Sequence, residues 1–341
     1  MITRNRFLAG FPAAAAAAAL PLRAWASGGL DIGVEGEVPA QIRVLLASGS
    51  FASAAPIDGW HFAWNGRNFR GTFASVALPG GRSGLVNTLP LDAYLYGVLS
   101  KEISSSWASA AQQAQAIVTR TYTLAKLRPE RVYDVVAGDA DQNYGGLDGE
   151  SIEGRAAVDA TASTVVSFDG KPAQVAYSAC CGGRTADAAD IWDSKFPYLG
   201  GVVDPNCAGA PNFNWETTVA VDALLRALGR DASACGRLHD IALRSDGRDS
   251  RPHAVAFVGD AGALELSIGS FRARVGPSVV RSSYVRQAVF DAKQNTLALA
   301  GTGRGHGVGL CQWGARALGS AGRSAQDIVA FYFPGTTLGR A

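Results

Sequence analysis

The chain has 341 residues, 48% of them apolar and 18% charged, the balance of a folded globular protein long enough for one large domain or two smaller ones. A net charge of +2 leaves no basic surplus for nucleic acid and no electrostatic pull toward a membrane surface. Gly 41 with no strongly charged or repetitive tract implies many turns and strand ends and excludes a low-complexity chain.

Residues 1–26 have the pattern of an export signal. Arg4 and Arg6 precede an apolar, alanine-rich run from Phe7 to Leu22, and Ala24-Trp25-Ala26 fits a small-x-small cleavage site. Pro12 and Pro21 interrupt the run, which favours a cleaved signal over an anchor. The expectation is a periplasmic or secreted protein that begins at Ser27 and keeps no membrane span. Gln41 to Leu46 and Trp60 to Trp64 are β-prone, and Asn65-Gly66 signals a hairpin turn into a strand over Asn68 to Val76. Residues 27–88 therefore read as a β-rich section.

Leu89 to Lys126 holds the first chemical signal. Leu91, Tyr94, Leu95, Val98 and Leu99 recur at three- and four-residue steps, predicting a short helix that breaks near Ser100. Ser104, Ser105 and Ser106 are good N-cap residues for a second helix from about Trp107 to Leu127, ended by Pro129. Glu102 then falls at a joint between two helices, near Ile103 and Trp107. Apolar neighbours raise the pKa of a carboxyl, which suits a general acid at neutral pH. On the second helix Gln112, Gln115, Thr119, Tyr122 and Lys126 form one polar stripe on an otherwise apolar surface. The stripe reads equally well as a face for an uncharged sugar chain and as one that meets water.

Further on, a polar loop carries Asp139, Asp141, Gln142, Asn143 and Tyr144 in a spacing that does not fit a calcium loop. Ile152 to Ala162 reads as helix, and Ser163–Phe168 and Ala173–Ser178 as strands joined at Asp169-Gly170. Cys180-Cys181-Gly182-Gly183 follows. Cysteines of an exported protein are expected in disulfides, and any four of Cys180, Cys181, Cys207, Cys235 and Cys311 allow three connectivities. That reading outranks a Cys181 nucleophile with His306 as its base. No pair has CxxC spacing, so the zinc signal is weak.

Residues 215–300 read as a subsidiary α/β unit, with a helix at Val219–Leu228 and strands at Ile241–Arg244, Ala254–Val258, Leu264–Ile268 and Thr296–Ala300. Its His239 and His253 read as surface residues. Alternating glycines from Gly301 to Gly309 fit no phosphate-loop register and imply close backbone approach or a tight bend. His306 projects from that loop, as a packed structural residue or a ligand contact. Ala315–Gly319 and Ser324–Tyr332 read as closing helices. The fold class expected is α+β: a single compact multi-part domain in which 301–341 completes a catalytic core over 89–214.

Several of these segments together resemble the SpoIID/LytB family of peptidoglycan-acting proteins, from about Arg43 to Leu338. The pieces are Phe69-Arg70-Gly71, Leu89 to Tyr94 with Glu102, Ala114-Gln115-Ala116 with Arg120-Thr121-Tyr122, Gln142 with Tyr144-Gly145, Gly182-Gly183-Arg184-Thr185, and Gly305 to Gly309 with Gln312 to Ala315. The resemblance implies a lytic transglycosylase that cleaves the bond between N-acetylmuramic acid (MurNAc) and N-acetylglucosamine (GlcNAc) in peptide-free glycan strands. The products carry 1,6-anhydro ends, and Glu102 is the general acid/base. A hydrolysing glycosidase needs two carboxylates, whereas only one well-placed carboxyl stands out here.

Gln115, Tyr122, Gln142, Tyr144, Thr185, His306 and Gln312 are the residues expected to bind the sugars, and Arg120 to fix either a loop or the substrate. Some members of the family hold zinc with cysteines and histidines near the GG-x-T turn. Cys181 matches one such ligand, but Ser178 and Arg184 stand where histidine would help, so no metal and no cofactor is expected. Other members enhance amidases. The alternative is therefore a non-catalytic peptidoglycan-binding enhancer of an N-acetylmuramoyl-L-alanine amidase, with that amidase as protein partner.

Overall fold

The computed structural model describes residues 41–138, 140–211, 213–233, 235–245 and 251–341. The expected export signal and the first part of the β-rich section lie outside the described residues, as does Asp139. The fold is α+β, and among the described residues no helix is long and apolar enough to cross a membrane.

Strand Ile42–Ser48 pairs antiparallel with Arg82–Leu89 and parallel with Val135–Val136, and Thr72–Leu78 completes a four-stranded sheet. His61–Trp64 and Arg67–Arg70 form the expected hairpin, with Asn65 and Gly66 at φ 50° and 73°. The single strand expected over Asn68–Val76 is two strands in different sheets. Gly71, at φ 82°, turns the chain between them, and a Cβ there would sit 2.2 Å from the Thr88 carbonyl oxygen.

Helix α1 spans Leu91–Glu102 and α2 spans Ser109–Lys126. Both boundaries differ from expectation. α1 runs through Ser100, and its end is marked by extended geometry at Ile103, whose N–H bonds the Leu99 carbonyl. The serines do not cap α2; its N-cap is Ala108, with no side-chain cap. Gln112 instead braces the turn that leads into the helix, its amide donating to the carbonyls of Ser105 (2.9 Å) and Trp107 (2.8 Å). The apolar positions of α1 are buried as the period requires, packed with Phe62, Phe69 and Tyr144.

Helix α3 spans Ile152–Ala160, begun by a Ser151 side-chain cap, and Thr164–Phe168 turns at Asp169-Gly170 into the two-residue strand Lys171–Pro172. The expected partner strand at Ala173–Ser178 pairs elsewhere: Tyr177–Ser178 runs parallel to Leu310–Cys311. The C-terminal strand Thr337–Arg340 adds to the other edge of Thr164–Phe168. Residues 214–302 hold two three-stranded sheets, one of Asn214–Ala220, Thr296–Thr302 and Val285–Asp291, the other of Leu238–Arg244, Ala254–Gly259 and Gly262–Ser267. One buried apolar cluster runs from Ala114 and Ile117 of α2, through Phe257 and Phe271, to Leu310 and Phe333. That continuity seats the glycine-rich loop against the central helices.

Candidate active site

A cleft of about 410 Å³ is lined by Glu102, Tyr122, Lys126, Asp141, Asn143, Tyr177, Trp192 and His306, among others. Each part of the wall has a local cause. Glu102 is the last residue of α1, and its Oε1 accepts the Asn143 amide at 2.9 Å, which ties the helix end to the polar loop. The expected Trp107 neighbour packs instead on the Trp313 ring, centroids 5.4 Å apart.

Tyr122 and Lys126 are the last polar positions of the α2 stripe, and both meet Asp141. The Tyr122 hydroxyl donates to Oδ1 at 3.2 Å and Lys126 Nζ lies 3.2 Å from the same oxygen. A third donor, the Val136 amide, takes Oδ2 at 2.9 Å. The structure therefore brings a second carboxylate into the cleft, where the sequence pointed to one, but Asp141 is committed to three donors. Burial first, then the Asp141 and Glu102 carboxylates, hold the Tyr122 phenol well above its ordinary pKa. Burial and then Glu102 do the same for Tyr177. Both phenols stay protonated donors at neutral pH.

His306 faces Trp192 across 4.8 Å between ring centroids. Its Nδ1 accepts the Val308 amide at 3.1 Å. Burial, and next the Arg272 guanidinium, push its pKa down to about 4, so the ring is neutral in ordinary conditions. The loop that presents it rests on backbone contact: Gly303, Gly305, Gly307 and Gly309 all have positive φ, and a Cβ on Gly309 would lie 2.1 Å from the Ala176 carbonyl oxygen. Buried Arg251 braces this wall. It donates to the Cys181 carbonyl at 2.9 Å and to Ser283 Oγ at 2.6 Å, and Ser283 in turn donates to the His306 carbonyl at 2.6 Å.

Of the residues expected at the site, Glu102, Tyr122 and His306 meet in this cleft. Gln142 is buried one layer behind it; its Oε1 accepts from Tyr94 and Thr123 and its Nε2 donates to the Tyr177 hydroxyl at 3.1 Å. Tyr144 bonds Asn87 at 3.0 Å and lines an adjoining cavity of about 330 Å³ together with Trp64, Arg67 and Lys101. The two cavities share Gly138 and Asn143. Thr185 is buried, its Oγ1 accepting the Val202 amide at 2.7 Å. Gln115 and Gln312 are buried as well, and among the described residues Gln115 Oε1 and Gln312 Nε2 have no hydrogen-bond partner. Arg120 lies outside the cleft, 1% exposed, bonding Asp92 and the carbonyls of Val158, Thr161 and Thr164.

The polar stripe of α2 is thus mostly interior, neither a sugar face nor a wet one along its length. Tyr177, Trp192 and Asp141 were not among the residues singled out for the site. His253 is half-buried rather than a surface residue, and its Nδ1 has no hydrogen-bond partner among the described residues. All five cysteines are free: Cys181 Sγ and Cys207 Sγ are 3.6 Å apart, a non-bonded distance. Cys181 is 1% exposed, which removes the thiol-nucleophile reading.

The family model described as SpoIID, stage II sporulation protein, matches residues 80–168, which contain α1, Glu102 and α2. An uncharacterized protein of Brachyspira hyodysenteriae is 28% identical over 257 residues, 74% of this chain and 68% of that one. The amidase enhancer of Bacillus subtilis is 26% identical over 292 residues, 72% of this chain but 40% of the relative. The stage II sporulation protein D of Bacillus amyloliquefaciens is 26% identical over 275 residues, 75% of this chain and 76% of the relative. The family model on the helical joint and relatives of two named kinds aligned along most of its length support assigning this chain to the SpoIID/LytB family.

Proposed function

We propose that the protein is an exported lytic transglycosylase acting on peptide-free glycan strands, with Glu102 as its acid and base. The observation that carries this reading is one cleft shared by Glu102, two protonated tyrosines and the Trp192–His306 ring pair. Glu102 donates its proton to the oxygen between MurNAc and GlcNAc, and that bond breaks. It then takes the proton of the MurNAc C6 hydroxyl as that oxygen closes on C1 of the same sugar. The nucleophile is already part of the substrate, so no second carboxylate is needed to activate water. The engagement of Asp141 by Lys126, Tyr122 and Val136 favours this one-carboxylate route over hydrolysis.

Trp192 and neutral His306 offer a flat face and a hydrogen-bonding edge for a sugar ring. Lys101 and Arg67 line the adjoining cavity. A muramic acid without its stem peptide exposes a lactyl carboxylate, which such cations attract; with the peptide attached, that group is an uncharged amide. Incubation with peptide-free and with peptide-bearing strands, read by mass spectrometry, tests the proposal. Anhydro ends from the peptide-free strands alone are expected, and none with Glu102→Gln. Intact strands, or undiminished activity in Glu102→Gln, would overturn it.

The relative that is named an amidase enhancer supports a second reading, in which the same cleft binds strands without cutting them. It predicts binding to purified sacculi with no covalent change and faster turnover of an N-acetylmuramoyl-L-alanine amidase. Failure to bind sacculi would remove it.

A further inference from the structure

Behind the Gly182-Gly183 turn, four side chains from three separate segments converge. Cys181 precedes the turn, Asp204 and Cys207 belong to the short helical segment at Pro205–Gly209 and its cap, and Cys311 caps the helix Gln312–Ser320. Their donor atoms all lie within 4.8 Å of one another, and no residue of the four is more than 1% exposed. Cys181 Sγ is 3.6 Å from Cys207 Sγ and 3.2 Å from Asp204 Oδ2. Metal–sulfur bonds of about 2.3 Å in a tetrahedron set two thiolates about 3.8 Å apart. A disulfide would bring the sulfurs to about 2.05 Å. The spacing fits a shared ion and not a bond.

The surroundings fit as well. Asp204 is fully buried, and among the described residues no cationic side chain pairs with it. Tyr332 donates to its Oδ2 at 2.9 Å, and Asn206 donates to Oδ1 through its amide N (3.0 Å) and Nδ2 (2.9 Å). Outer contacts of this kind orient a ligating carboxylate. Cys311 Sγ accepts the amides of Cys181 (3.2 Å) and Gly314 (3.4 Å) at the start of its helix, contacts that fix where the sulfur points. The expectation of no metal rested on the missing histidines at Ser178 and Arg184. Three of the four donors here are remote from that turn in sequence, so those positions do not bear on them.

We propose that Cys181, Asp204, Cys207 and Cys311 hold one tetrahedral thiophilic divalent cation, zinc by its affinity for a closed set of three sulfurs and one oxygen. Its role is structural. It would fasten the Gly182-Gly183 turn to the start of the Gln312–Ser320 helix. Cys180, next to Cys181, exchanges two backbone bonds with Arg304 of the histidine loop, 3.1 and 2.8 Å long.

The test is metal content and coordination, neither of which depends on whether the chain cuts glycan. Purified without chelator or reloaded with zinc, the wild-type chain is expected to carry one ion by elemental analysis and native mass spectrometry. X-ray absorption should show three sulfur neighbours and one oxygen, and cobalt(II) loading the visible bands of a tetrahedral thiolate site. Cys207→Ser should lose the ion, while Cys235→Ser, buried outside the cluster, should keep it. If Cys207→Ser does not fold, the wild-type sulfur count decides alone. A folded wild-type chain that takes up no zinc overturns the proposal, whether its thiols are free or its denatured mass is lighter by the two hydrogens of a disulfide. Zinc retained by Cys207→Ser overturns it too.

Discussion

The wall of the cleft that carries Glu102 is two helices and a turn, and side chains hold its shape. Gln112 fastens the turn, and Arg120 pins α2 to Asp92 of α1 and to three carbonyls around the end of α3. The wall that carries His306 is a loop of four glycines at positive φ laid close on its neighbours: a Cβ on Gly303 or Gly309 would meet a carbonyl oxygen, and one on Gly305 or Gly307 the side chain of Ser178 or Arg251. The first wall is sensitive to losing a functional group, the second to gaining a methyl. Chemistry and geometry can therefore be tested separately, one on each wall.

The largest effect is expected on the helical wall. Glu102→Gln keeps the shape and removes the proton, so anhydro-end formation should fall by about 100- to 10,000-fold with the melting temperature unchanged. A loss of less than about tenfold would mean that another group moves the proton.

Arg120→Met should cost stability rather than chemistry. It strands the buried carbonyls of Val158 and Thr161, a loss of roughly 1–3 kcal/mol in urea unfolding. Turnover per folded molecule should be unchanged. A raised KM with intact stability would make Arg120 a substrate residue and blur the division between the walls.

On the other wall, Gly309→Ala forces a Cβ toward the Ala176 carbonyl at a positive φ, and about 1–3 kcal/mol should be lost. Activity should fall with it, because the displaced segment carries His306. Unchanged stability would show that the loop has slack and that backbone contact does not set it.

The smallest effect concerns pH. His306 has a folded pKa of about 4, below its ordinary 6.5. As pH falls the unfolded chain takes up the proton first, so stability is full above about 6.5 and declines toward 4. The contribution should be on the order of 1–2 kcal/mol, discounted for the ring's partly exposed edge, and seen as the difference between wild type and His306→Gln in unfolding at pH 7 and pH 5. No difference would mean that the ring is not desolvated, and the backbone wall would then be looser than described.

Much of the helical wall was legible from residue order. The three- and four-residue steps of Leu91 to Leu99 marked α1 because burial of one helix face is a local demand. Asn65-Gly66 marked its hairpin because the turn needs positive φ at both positions. The alternating glycines marked close backbone approach, although nothing in them named Ala176 as the neighbour. The boundaries failed where contacts away from the local signal set them: Gln112 holds the Ser105–Trp107 turn by its carbonyls and leaves the serines uninvolved in capping, and the close approach of Gly71 to Thr88 splits one expected strand into two.

Residue order by itself determined the elements that satisfy themselves within a few residues, together with the motif order that marks the family. Tertiary structure alone decided what meets across the chain: Trp192 with His306, Asp141 with Lys126, and Cys181 with Cys311, 130 positions apart. A period or a cap is enforced by bonds between near neighbours and leaves a pattern that can be read. A cleft or a donor cluster is enforced by packing of distant segments, and no spacing along the chain records which of them will touch.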